Sequence, residues 1–285
     1  MTYSRGMDDT ARRRALNEDG VVILRNFFDG TEPGDLVDAF REVFRRQMRR
    51  HDLPAADKTG SAFDRALADL FQESMPSYLA AAKLTQYLPA LHRLGVSEPL
   101  LTALSGLGLR QPVISTRPVV HIVSEALKVP DGYHRTPPHQ DWRSVQGSLD
   151  AVVAWLPLVP AAADNAPLEV IPGSHRNGLL PSEPHAFGNC VQAAAIKGET
   201  FQVIEAEPGD LVIFSMFLVH RTGAVQGDGV RWAVSFRYNN LDEPSFAARN
   251  FPNPYVYKPR DDLLVDGFPG RADLGRIFDD ETNGD

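Results

Sequence analysis

His139 and Asp141 stand two residues apart in the stretch PPHQDWRSVQGS, residues 137–148. In an extended chain, residues i and i+2 point to the same side, so an imidazole and a carboxylate are presented together. Alone, an H-x-D pair is common, and a hydrogen-bonded surface pair explains it as well as a metal does. A third donor changes the weighing. Of the eight histidines, His220 is the best placed, because it ends the apolar run DLVIFSMFLVH where a buried strand reaches a barrel rim. Two histidines and one carboxylate on one face leave three positions open on six-coordinate iron(II), as in non-haem Fe(II) oxygenases. Zinc favours four-coordinate closure instead.

Arg231 lies eleven residues after His220 and opens the run RWAVSFRYNN. Alternation places Arg231, Ala233, Ser235 and Arg237 on one face of that strand and Trp232, Val234, Phe236 and Tyr238 on the other. Two arginines and two small residues suit a cavity that holds an anion; the solvent face of an outer strand is the competing reading. For an iron oxygenase the expected anion is the co-substrate 2-oxoglutarate, used together with O2. Its distal carboxylate matches the planar fork of arginine.

The elements that carry these residues change texture near residue 110. Before it the chain reads as helical. GDLVDAFREVFRRQMRR places Leu36, Val37, Phe40, Val43, Phe44 and Met48 on one stripe. Further helical zones cover residues 61–75, 76–94 and 97–109, with Ser97 as a capping hydroxyl for the last. The β-branched run DGVVILRNFF precedes them as a strand. From 111 to about 245, short apolar runs alternate with turn signals such as DNAP, EPGD and QGDG. Strands without intervening helices predict a mainly β fold with flanking helices. Its core is expected to be a sandwich or a jelly-roll barrel, the latter being the double-stranded β-helix of cupin-like type, with a helical N-terminal part. The expected organisation is one domain: a strand and helical support over about 15–110, the catalytic core over 111–245, and a polar extension over 246–285 that forms a lid or a loose tail.

The formal net charge of −8 argues against a general nucleic-acid footprint. The Arg-rich face of residues 41–50 reads as a solvated helix surface. The single cysteine, Cys190, excludes an internal disulfide and fits a reducing, cytoplasmic setting. The first residues lack an apolar core for a secretion signal, and no apolar run spans a bilayer. The expected partner is a small-molecule substrate, with neither nucleic acid nor membrane, and the chain is read as a monomer or homodimer.

These residues, taken with their flanks, resemble the phytanoyl-CoA dioxygenase family of Fe(II)/2-oxoglutarate oxygenases. HQDW (139–142), VVAWLPLV (152–159), DNAPLEVIPGSHRNG (164–178), PGDLVIFSMFLVHRTG (208–223) and VRWAVSFRY (230–238) fall in that family's order and spacing. The resemblance covers most of residues 15–245. It implies His139, Asp141 and His220 as catalytic metal ligands and Arg231 as partner of the distal carboxylate. It further implies Thr222 assisting that carboxylate, and Gln140 and Trp155 lining the co-substrate pocket. Ala166 departs from the family's usual D-N-G, which alters a turn. PGSH reads as a structural turn in which His175 is no ligand. The implied reaction is hydroxylation of an unactivated C–H bond, with succinate and CO2 released; the presence of Asp141 argues against halogenation. Trp142, Arg143, Arg117 and Arg237 are the expected substrate contacts, with His121, His134, Arg135, Ser144 and Gln146 as further candidates. They lean toward a small polar metabolite. The rival readings are a cupin-type isomerase or hydrolase without 2-oxoglutarate, a peptide hydroxylase, and a non-catalytic module on the same fold.

Overall fold

Apolar residues spaced by a helical turn build the N-terminal layer. The computed structural model describes residues 8–53, 59–129, 135–226, 229–253 and 266–278. Helix α1 (Asp9–Asp19) is capped by Asp8, whose carboxylate accepts the Ala11 N–H at 2.8 Å. It stops at Gly20, whose φ of +78° is the left-handed conformation that ends helices. β1 (Val21–Leu24) follows. α2 (Thr31–Arg50) buries Leu36, Val37, Phe40, Phe44 and Met48, the expected stripe, with Val43 partly buried beside it. α3 (Gly60–Glu73), α4 (Met75–Thr85), α5 (Pro89–Gly95) and α6 (Glu98–Gly106) complete the layer. Ser97 does occupy the N-cap of α6, but its hydroxyl makes no capping bond.

The β part begins with β2 (Pro112–Ile114) and β3 (Val119–Val123). A one-turn helix, α7 (Trp142–Val145), precedes β4 (Val152–Pro157). Then come β5 (Leu168–Val170), β6 (Ser182–His185), β7 (Gly188–Val191), β8 (Gln202–Ile204), β9 (Leu211–Ser215), β10 (His220–Thr222) and β11 (Arg231–Asn240). The main sheet runs β1-β9-β4-β11, and both β2 and β3 pair with the far edge of β11. A second sheet has the order β10-β5-β8, and β6 and β7 form a hairpin. All these pairings are antiparallel. Two antiparallel sheets face to face, backed by helices, make the double-stranded β-helix core.

Strand alternation divides the interior in two. Val22, Leu24, Val152, Ala154, Leu156, Leu211, Ile213, Trp232, Val234, Phe236 and Tyr238 pack on the helices. Val21, Ile23, Val153, Trp155, Val212, Phe214 and Ala233 face the space between the sheets. Trp232 of β11 anchors the helical layer, with its ring 6.2 Å from Phe40 and 5.8 Å from Phe44. The main sheet therefore has an apolar back on the helices and a front free to carry polar groups.

The C-terminal extension continues through α8 (Pro244–Ala248) to α9 (Arg271–Phe278), which buries Leu274 and Phe278. α9 docks on the turn at Ser174–Asn177: the Leu179 N–H donates to Pro269 O at 3.4 Å, and Phe278 meets the His175 ring edge-on at 4.7 Å. Its described residues are docked against the core, where a loose tail was one expectation. None of these described residues lines the central cavity. Residues 254–265 lie outside the described residues. No helix among those described is long and apolar enough to cross a membrane.

Candidate metal centre

His139 and His220 face each other across a narrow antiparallel pair, exchanging backbone N–H···O=C bonds of 3.0 and 3.1 Å. Their rings lie 4.1 Å apart, centroid to centroid. Each Nδ1 lies 2.9 Å from a carbonyl two residues earlier on its own chain, Pro137 O for His139 and Leu218 O for His220. A carbonyl only accepts, so each Nδ1 carries the hydrogen and each Nε2 keeps a lone pair. Asp141 begins α7. Its Oδ1 lies 3.3 Å from His139 Nε2, and its Oδ2 accepts the Arg237 Nε–H at 2.8 Å. One donor atom from each of the three buried residues falls within 4.8 Å of the other two.

The electrostatics suit a divalent cation. Burial, reinforced by the neighbouring His139, pushes His220 down to about 3, leaving it neutral at physiological pH. Burial alone would raise the Asp141 carboxyl, but the Arg237 guanidinium prevails and holds it well below the usual range. Two imidazoles and one carboxylate on one face fit six-coordinate iron(II) with three positions to spare, and the Nδ1 contacts supply the backing such ligands need.

A cavity of about 400 Å³ opens above the three. Arg231 lies in its wall, 2% exposed. Its Nε–H donates to Ala166 O at 3.0 Å, and its guanidinium sits 5.9 Å from the Trp155 ring. Among the described residues its Nη1 has no hydrogen-bond partner, and burial pushes its pKa down to about 10. A buried cation without a counter-charge is costly, and a carboxylate from a ligand would satisfy it. Trp155 and Thr222 line the same cavity, as do His121 and Ser144. His121 shares a 2.9 Å hydrogen bond with Ser235 Oγ. Burial, then Arg231 and Arg237, hold its ring neutral.

Other expected contacts fall elsewhere. Gln140 does not line the pocket. Its amide donates to Gly178 O and Phe217 O at 2.9 and 2.7 Å, and its carbonyl accepts the Leu180 N–H at 2.8 Å. Alternation turns it away from its two neighbours. Trp142 is no substrate platform: it is 1% exposed, stacks on Phe217, and donates to Ser148 O. Arg143 leaves the cavity and donates to Leu180 O at 3.2 Å. Arg135 donates to Gly223 O, and Gln146 makes the left-handed end of α7. Arg117 does line the cavity, held by Gln86 Oε1 at 3.0 Å, while Arg237 is paired with Asp141. His134 lies outside the described residues. Arg237 also lines the cavity, together with Lys83 and Arg221. Much of the cavity wall is apolar, including Val119, Val153, Leu168 and Phe214. Phe187, in the β6–β7 turn, meets the His139 ring at 4.6 Å; no pattern in the sequence distinguishes it from an ordinary turn residue.

The PGSH turn is structural. Ser174 Oγ accepts the Val219 N–H at 2.9 Å, beside His220, and His175 Nε2 lies 3.0 Å from Asn17 O. The turn thus ties the end of α1 to the strand that carries a candidate ligand.

Known proteins agree with this architecture. The chain is 34% identical over 95 residues to a probable phytanoyl-CoA dioxygenase of Caenorhabditis elegans, covering 31% of this chain and 30% of that protein. It is 32% identical over 97 residues to the 1-deoxypentalenic acid 11-beta-hydroxylase of Streptomyces exfoliatus, covering 30% and 34%. The matched segments thus span about a third of the length of these curated relatives. Among solved structures, the epimerase SnoN in complex with Fe3+, alpha ketoglutarate and nogalamycin RO superposes with a TM-score of 0.57 at 17% identity, covering 81% of this chain and 83% of that one. EctD from S. alaskensis with 2-oxoglutarate and 5-hydroxyectoine gives 0.51 at 15%, covering 85% and 80%. These two likenesses speak for the fold. The family model described as phytanoyl-CoA dioxygenase (PhyH) matches residues 16–233, and with so much of its length matched the chain belongs to the phytanoyl-CoA dioxygenase family.

Proposed function

We propose that this protein is an Fe(II)- and 2-oxoglutarate-dependent dioxygenase that hydroxylates an unactivated C–H bond of a small molecule. The observation that carries the reading is Arg231. A buried guanidinium with an unpartnered Nη1 lines the same cavity as two histidines and a carboxylate whose donor atoms converge. His139 Nε2, Asp141 Oδ1 and His220 Nε2 would hold the iron. Arg231 would pair with the distal carboxylate of 2-oxoglutarate, assisted by Thr222 from the same cavity wall, and Trp155 would wall the co-substrate in. Bound there, iron(II), 2-oxoglutarate and O2 supply the oxidising power for a C–H bond, with succinate and CO2 released.

The chain's own residues do the rest. The Nδ1 contacts fix the tautomer of both histidines before any metal arrives. The walls from Val153, Leu168 and Phe214 would keep water from the metal side. The names of the hydroxylase relatives support hydroxylation as the outcome.

The test is anaerobic addition of Fe(II) and 2-oxoglutarate to metal-free protein, read by the visible charge-transfer band of the chelate. The band is expected in the wild type and absent in His139→Ala, Asp141→Ala and His220→Ala. Arg231→Ala removes a charge-assisted partner worth about 2–4 kcal/mol, so the 2-oxoglutarate needed rises by roughly 30- to 1,000-fold. Metal bound without a band would reject the 2-oxoglutarate reading and favour a cupin-type metalloenzyme of another class.

A further inference from the structure

Among the described residues, Arg237 is the cation that bonds a candidate metal ligand, and its geometry is specific. Its Nε–H donates to Asp141 Oδ2 at 2.8 Å, with both side chains largely buried, 12% and 7% exposed. The other oxygen, Oδ1, is the one turned to His139 Nε2. Arg237 is itself held from two sides. Its backbone lies mid-strand in β11, in register with Val153 of β4. Its Nη1–H reaches Ser235 Oγ at 3.4 Å, and that oxygen also meets His121 Nε2 at 2.9 Å. A carboxylate can bind a metal through one oxygen or both. Here one oxygen is already taken by a charge-assisted hydrogen bond, the strong kind.

We propose that Arg237 is a positioning residue that makes Asp141 a one-oxygen metal ligand and so keeps a coordination position free for the reacting molecules. This rests on the metal-centre reading above and deepens it. It also reassigns Arg237 from substrate contact to support of a ligand. The role is separate from that of Arg231, which stands six residues earlier on the same face of β11 and donates to Ala166 O instead. Fixing a ligand through a hydrogen-bonded neighbour is the usual way proteins set metal affinity, with losses of about 10–100-fold when the neighbour is removed.

The test uses Co(II) on the full-length metal-free protein, without 2-oxoglutarate, and reads both the dissociation constant and the visible d–d spectrum. The spectrum reports coordination number and does not depend on turnover. Arg237→Gln is expected to weaken Co(II) about 10–100-fold and to change the intensity of the d–d bands as Oδ2 joins the metal. Arg237→Lys, which keeps the charge, should recover part of the affinity. The decisive comparison is Asp141→Asn against the Asp141→Asn, Arg237→Gln double variant. If Arg237 acts through Asp141, the second substitution costs less than about threefold more. That pair also removes both buried charges together, so it remains informative if Arg237→Gln alone folds poorly. Wild-type affinity and spectrum in Arg237→Gln would overturn the inference, as would full additivity in the double variant. Failure of the 2-oxoglutarate band in the wild type would reject the oxygenase reading alone, because the Co(II) measurements do not involve the co-substrate.

Discussion

Ala166 shows how much one residue outside the metal ligands can decide. Its backbone is left-handed, φ +47°, and it is fully buried. Its N–H donates to Ala224 O at 2.7 Å, and its carbonyl aims the Arg231 guanidinium. An alanine pays about 1–2 kcal/mol for this conformation, and glycine avoids that cost while losing some chain entropy. Ala166→Gly is therefore expected to stabilise the fold by about 0.5–1 kcal/mol, read as a higher urea midpoint at unchanged m. At this scale the sequence is legible where one rule suffices. The two-residue spacing brings His139 and Asp141 together, and the end of an apolar run locates His220. The same alternation turns Gln140 away, and the start of α7 at Trp142 ends the alternation and buries that ring. The family resemblance puts Gln140 at the pocket, where strand geometry already decides against it.

Among the elements, β11 is the hinge between fold and chemistry. Its alternation is legible in the residue order alone, with Trp232 and its partners on the helices and Arg231 to Arg237 on the cavity. The joint between α1 and the PGSH turn is not, because it depends on residues more than 150 positions apart meeting at His175 and Asn17. Gly20 sits in that joint. A Cβ there would lie 2.5 Å from His175 Nδ1, on a backbone already at φ +78°. Left-handed strain and overpacking together predict that Gly20→Ala loses about 2–4 kcal/mol. Equilibrium denaturation checks this, and a loss under about 1 kcal/mol would show that the joint yields easily.

Across the whole molecule, termini and core meet at Asp150. It lines a second cavity with Arg13 and Asn17 of α1 and Phe278 of α9. Its Oδ2 accepts Asn240 Nδ2 at 2.7 Å. Burial, the largest influence, pushes it up to about 6 against the opposing bond from Asn240. A carboxyl raised in the folded state binds more protons folded than unfolded between about pH 4 and 6, so its charge destabilises the fold above that window. Asp150→Asn should gain roughly 1–3 kcal/mol at pH 7. That gain should shrink as pH falls through about 6 and vanish near about 4. Chemical denaturation across pH follows it, and a gain that persists at the acid end would refute the cause. Such a carboxylate looks unremarkable in sequence, since its surroundings come from α1, α9 and β11, all distant from it along the chain. The far edge of β11 has a different consequence. It is shared by β2 and β3, with Thr116 and Arg117 leaving the ladder between them and Arg117 at the cavity. Chain inserted at such an outward step costs only about 0.6 kcal/mol for each doubling of loop length. Chain can thus be added beside the cavity there while β11 and the residues it aims stay as they are.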